Sequence, residues 1–159
     1  MRNSRLLLTV LALALCASTV AAEDVARGHI LVSANVAPRT SLKVSSRMLR
    51  FDVTQPGGVA TAALEFTAGA RLASGSDVVL TVEPLRGMDG PGGAADVETA
   101  LSFIGEGNGM LAGSIAMTES TILGRWQGSG LREGRVTFTL RTNAVGNYSL
   151  PVRLVLSTP

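Results

Sequence analysis

The strongest constraint on this chain is a two-residue rhythm. Apolar and polar residues alternate in short runs, and clusters of glycine, proline, serine, asparagine and aspartate separate the runs. Successive side chains on a β-strand point to opposite faces, so such a rhythm specifies strands with one buried face. Ile30, Val32, Ala34 and Val36 share a face in GHILVSANV, and Leu42 and Val44 do in SLKVS. Leu49, Phe51 and Val53 follow in MLRFDV, then Ala60, Ala62, Leu64 and Phe66 in VATAALEFT. Val78, Leu80 and Val82 line one face of DVVLTVEP, and Val136, Phe138 and Leu140 one face of RVTFTLR. The closing run, NYSLPVRLVLS, puts Tyr148, Leu150, Val152, Leu154 and Leu156 together.

Turn chemistry fills the gaps. Gln55-Pro56-Gly57-Gly58 and Ser74-Gly75-Ser76-Asp77 read as compact turns, as do Gly128-Ser129-Gly130 and the glycine-rich stretch 105–109. Residues 87–96, GMDGPGGAAD, read as a long loop at one end of the domain. The pattern allows a short helix over 95–101. It also allows two short strands, carrying Ile115 and Met117 and then Ile122 and Leu123, around a polar bend at 118–120. Many short strands at this spacing predict an all-β fold. The expected architecture is an immunoglobulin-like β-sandwich of about seven to nine mostly antiparallel strands. It forms a single domain over residues 23–159, with no internal repeat and no linker.

The start of the chain has a different character. Arg2 and Arg5 precede the apolar run 6–16, and the small residues of ASTVAA follow it. That order predicts a secretory signal peptide over residues 1–22, with cleavage before Glu23. The run is shorter than the ~20 residues of a membrane span. Leu15 stands before Cys16, where a lipobox requires a small residue, so the cysteine does not read as a lipid anchor. The chain has 14 Lys+Arg and 12 Asp+Glu. With Arg2 and Arg5 removed, the remainder is formally neutral. Lys43 is its one lysine, and no basic stripe interleaved with aromatics is present, so nucleic acid is not an expected partner. The single cysteine leaves with the leader, so stability must come from a core rather than a disulfide. No second apolar stretch reads as a transmembrane segment. The expected location is the periplasm, the cell surface or the extracellular medium.

Side chains capable of catalysis are sparse. The one histidine, His29, lies opposite Ile30 on a predicted strand and reads as solvated; a multi-histidine metal site cannot form. A Ser-Lys pair would have to use Lys43 with Ser45 or Ser46, residues that strand-edge roles explain equally well. Asp77, Glu83, Glu106 and Glu119 are not brought together by the pattern as a glycosidase pair. Asp89 and Asp96 lack the dense alternating acids of a calcium loop. The glycine cluster GEGNG is not followed by the residues of a phosphate loop. Trp126, in GRWQGSG, reads as a core residue because of its large apolar area. The expectation is a non-enzymatic protein with no catalytic residue, metal or cofactor.

The closing run carries a family likeness. Gly146-Asn147-Tyr148 opens a long alternating strand at the end of the chain, and MLRFDV follows an N-terminal segment. Together these resemble the closing and opening strands of chaperone–usher pilins and of spore-coat-U-like secreted proteins. The matching residues are Gly146, Tyr148, Leu150, Val152, Leu154 and Leu156. The chain departs from the pilin pattern in ending on Thr158-Pro159 rather than near an aromatic, and in lacking a disulfide. Pro151 withdraws one backbone donor, which suits an edge strand or a bulge. The resemblance implies a surface or adhesion subunit that assembles by strand donation. Its partners would be copies of itself, other surface subunits, or a periplasmic chaperone. Ile30, Val32, Ala34 and Val36 would then form a donor strand with every second side chain in a pocket. Periodicity does not reveal which molecule a strand pairs with, and the preferred reading is that they form the first strand of their own sandwich. The alternative is a free binding or accessory domain that uses the end loops at 87–96 and 105–109.

Overall fold

The computed structural model describes residues 37–91, 93–94 and 100–159. These lie in one compact unit. The stretch 1–22 read as a signal peptide, His29 and the run Ile30, Val32, Ala34 and Val36 lie outside the described residues.

The described residues form an all-β sandwich. Its strands are β1 (Arg39–Val44), β2 (Met48–Val53), β3 (Val59–Arg71), β4 (Asp77–Pro84), β5 (Asp89–Gly90) and β6 (Gly93–Ala94). Then come β7 (Ala100–Glu106), β8 (Ala112–Ser114), β9 (Thr121–Gln127), β10 (Gly130–Arg141) and β11 (Gly146–Ser157). One sheet has the order β1-β3-β10-β7-β8. The other has the order β6-β5-β11-β4-β9, with β2 also paired to β11. All pairings are antiparallel.

The arrangement is immunoglobulin-like. The sequence β1-β3-β10-β7 follows the A-B-E-D order of that fold, and β4 beside β11 follows C beside F. Tyr148, two residues into β11, donates its hydroxyl to the Ala144 carbonyl at 2.9 Å. A tyrosine at the start of strand F that bonds back to the preceding corner is a hallmark of these sandwiches.

The alternating residues meet between the sheets. Phe51, Leu64, Leu80, Val136, Phe138 and Leu150 all sit in the buried cluster. Trp126 is 8% exposed and joins this core, while the Arg132 side chain lies over its ring, 5.6 Å from the centroid.

Three expectations differ from the structure. Residues 89–90 and 93–94 form a short hairpin inside the stretch read as a loop, and Asp89 registers with Ser149 of β11. Ala100 and Leu101 belong to β7, not to a helix. Leu101 and Phe103 are buried and alternate with exposed Ser102 and Ile104, a strand rhythm that the preceding alanines concealed. Pro151 is not on an edge strand: β11 lies between β2 and the β4–β5 side. It is accommodated where β4 gives way to β5, and its carbonyl accepts the Leu85 N–H at 2.9 Å. A missing N–H does little harm at a break in the ladder.

Candidate functional site: the seam beside β11

Two corners carry backbone hydrogen bonds to both sheets. At one, the segment after β7 pairs with both layers. Leu111 accepts the Gly105 N–H of β7 and donates to the Leu123 carbonyl of β9, each at 2.8 Å. The Gly109 carbonyl accepts the Arg125 N–H at 2.8 Å. The close approach needs Gly109, which has φ +82° and whose missing Cβ would collide with the Arg125 carbonyl.

At the other corner the chain crosses from β1 in the first sheet to β2 in the second, through residues 45–47. The Ser45 Oγ accepts the Glu65 N–H at 2.9 Å, and the Ser46 hydroxyl bonds both the N–H and the carbonyl of Met48 at 3.0 Å. The two serines read as possible partners of Lys43 thus pin the crossing.

This crossing leaves one strand edge half used. β2 covers residues 146–151 of β11, and the Val152 N–H reaches the Arg47 carbonyl at 2.9 Å. Beyond that point, no strand among the described residues continues along this edge, although β4 covers the other edge through Ser157. In an antiparallel ladder, alternate residues direct their backbone groups to alternate sides. Val152 bonds toward β2, so the N–H and C=O groups of Leu154 and Leu156 also point to that side. Across the gap stands the outer edge of β1. Ser45 bonds toward β3, so the backbone groups of Leu42 and Val44 face away from β3. All four side chains are half-buried and pack against the core. The seam therefore combines two rows of backbone groups that no strand among the described residues pairs with and a partly covered strip of core, the features that make a sheet edge a template for another strand.

The structure divides the matching residues of the closing run into two sets. Tyr148, Leu150 and Val152 are buried, and β2 covers their edge. Leu154 and Leu156 line the seam. Leu42 and Val44, on the opposite bank, were legible only as inward residues of a strand. Gly146 has φ +146°, and a Cβ there would collide with the Pro91 ring.

A second concavity, about 660 Å³, lies against the first sheet. Lys43, Glu65, Glu106, Gly107, Glu133 and Arg135 contribute to its lining. Glu65, Arg135 and Glu106 stand in register across β3, β10 and β7. The other carboxylates of the sequence reading are dispersed: Glu83 accepts two bonds from Arg153, and Asp89 pairs with Arg86 at 2.7 Å. Among the described residues no cluster of three or more histidine, cysteine, aspartate or glutamate side chains could hold a metal, and no helix is long and apolar enough to cross a membrane.

No family model matches the sequence. No curated protein matches it either. Among solved structures, a family two carbohydrate esterase from Cellvibrio japonicus aligns with 77% of this chain at 17% identity and a TM-score of 0.35. This chain spans only 34% of that protein. TmCBM61, solved in complex with beta-1,4-galactotriose, aligns with 77% of this chain and 88% of its own length, at 11% identity and a TM-score of 0.30.

Proposed function

We propose that the chain is an exported, non-enzymatic structural or adhesion subunit of the cell surface that accepts a β-strand into the seam between β1 and β11. The observation that carries this reading is the edge of β11 beyond Val152. There Leu154 and Leu156 offer backbone donors and acceptors beside a half-covered core. An added strand satisfies those groups and covers the leucines in one step. The pilin-like pattern of the closing run and the leader-like first residues point the same way. Residues 28–36 have the composition the seam asks for, with apolar side chains at every second position.

Strand capture tests this directly. The chain from Ala37 to Pro159 contains both sheets and the core. It is expected to bind a synthetic peptide of residues 28–36 and to unfold at a higher temperature with it. Leu154→Arg puts a charge on the seam while leaving the fully buried core intact, and should abolish that gain. A peptide that neither binds nor raises the midpoint would sink the proposal.

The second reading is a free binding domain, and the concavity on the first sheet favours it. Gly107, which follows β7 in the stretch 105–109, borders the charged row of that sheet there, in which Glu106 is the last residue of β7. Under this reading Arg135→Ala weakens partner binding and Leu154→Arg does not.

A further inference from the structure

We infer that the outer face of β2 and β11 carries a two-pole site for a small zwitterion, one with an oxyanion at one end and a primary ammonium at the other, as in phosphoethanolamine. The site lies before Val152 on the solvent side of the sheet. It is independent of the strand-acceptor reading, whose edge begins beyond that residue.

Four polar side chains frame it. On β2, Arg50 and Asp52 alternate with buried Leu49, Phe51 and Val53, and so point outward. On β11, Asn147 and Ser149 alternate with buried Tyr148 and Leu150. Arg50 is in register with Ser149, and Asp52 with Asn147. Directly opposed residues share a face. The four line a concavity of about 370 Å³, within the ~300–1,000 Å³ of small-molecule sites.

Their charges are not neutralised within the protein. Among the described residues, none of the four side chains has a hydrogen-bond or ion-pair partner. Nearby carboxylates are already held. Asp89, in register with Ser149 on the far side of β11, is bound by Arg86 at 2.7 Å, and Glu83 is bound by Arg153. A free cation and a free anion thus stand two residues apart on one strand, ~7 Å along it.

The two opposed pairs offer different chemistry. Arg50 presents only donors, and the Ser149 hydroxyl opposite it can add another, which suits an oxyanion. Asp52 presents only acceptors, and the Asn147 amide oxygen can add another, which suits a cation bearing N–H groups. A ligand of one sign would satisfy one pole and meet a like charge at the other. A zwitterion satisfies both. The separation favours charges at the two ends of a short chain over those of an α-amino acid, which are attached to one carbon. A quaternary ammonium has no N–H for Asp52 and relies on exposed aromatic faces. Phe51 and Tyr148 alongside are only 2% and 3% exposed, so a primary ammonium is the better fit.

The full chain, expressed with its leader, is titrated with O-phosphoethanolamine while NMR follows the Arg50 Nε–H and the Asn147 side-chain amide. Both should shift and saturate. Inorganic phosphate, ethanolamine and phosphocholine each lack one set of contacts and should bind roughly tenfold more weakly, the factor that one charge-assisted hydrogen bond is worth. Asp52→Asn should weaken O-phosphoethanolamine to the level of phosphate without weakening phosphate itself. Arg50→Gln should weaken it to the level of ethanolamine. Both positions are exposed, so neither change disturbs the core. Sedimentation with phosphatidylcholine vesicles, with and without phosphatidylethanolamine, separates the two sources of this chemistry. Capture by the ethanolamine lipid alone assigns the site to a lipid headgroup, and solute binding without capture assigns it to a free solute; both support the site.

The inference is overturned if neither group shifts, the outcome when Arg50 and Asp52 pair with each other. Equal binding of phosphocholine, or an Asp52→Asn variant of unchanged affinity, removes the cation pole and overturns it too. Shifts confined to Lys43 and Arg135 would move the ligand to the first sheet and favour the free binding domain. None of these results bears on strand capture by the seam.

Discussion

The hydroxyl of Tyr148 ties β11 to the corner before it, donating to the Ala144 carbonyl and lying 3.4 Å from the Thr142 hydroxyl. The residue is 3% exposed, so removing the oxygen leaves a carbonyl short of its partner in a confined place. Tyr148→Phe should cost about 1 kcal/mol in urea unfolding, the usual net value of one such bond. Gly109 is a more severe case. An alanine there meets both a left-handed backbone and the Arg125 carbonyl. Gly109→Ala should destabilise by ~1–3 kcal/mol from backbone strain alone, with unfolding midpoints as the check. Burial of Trp126 was legible from its size. Its contact with Arg132 was not, because the two residues meet across different sheets. The glycines were legible as turns, but their task of letting residues 109–111 reach both sheets depends on neighbours distant in sequence.

At the scale of the strand, β11 passes through three surroundings. Its first half is enclosed by β2 on one edge; Pro151 sits where the ladder on the other edge breaks; its second half faces the seam. The side chains follow this gradient, since Leu150 is fully buried while Leu154 and Leu156 are only partly covered. Leu150→Ala should therefore cost ~2–5 kcal/mol, as large-to-small changes in a sealed core do. Leu154→Ala should cost less than half of that in the protein without an added strand. Equal losses in denaturant unfolding would mean that the seam is already covered. The sequence marked all five inward positions of this strand correctly. It could not mark where β2 stops, because alternation specifies the face of a side chain and is silent about the strand alongside.

At the scale of the molecule, the two corner crossings have opposite consequences. The segment 109–114 passes from the edge of β9 to the edge of β7 and engages backbone on both sheets. The crossing from β1 to β2 leaves the end of β11 with no strand on this edge among the described residues. The two functional readings share Val44, which lines both surfaces, but the rest of their contacts differ in charge. The seam is lined by Leu42, Val44, Leu154 and Leu156 with backbone groups between them. The concavity carries Lys43, Glu65, Glu106, Glu133 and Arg135. Salt screens exposed charges beyond roughly 10 Å at 0.1 M and 3 Å at 1 M, and it does not weaken apolar burial. Assembly through the seam should therefore persist in sedimentation or light scattering as sodium chloride is raised toward ~1 M, a range over which the screening length falls threefold. Association through the charged face should fade over the same range. Complexes that dissolve with salt and survive Leu154→Arg would transfer the interaction to the first sheet. Complexes that ignore salt and are lost in that variant would locate it at the open end of β11.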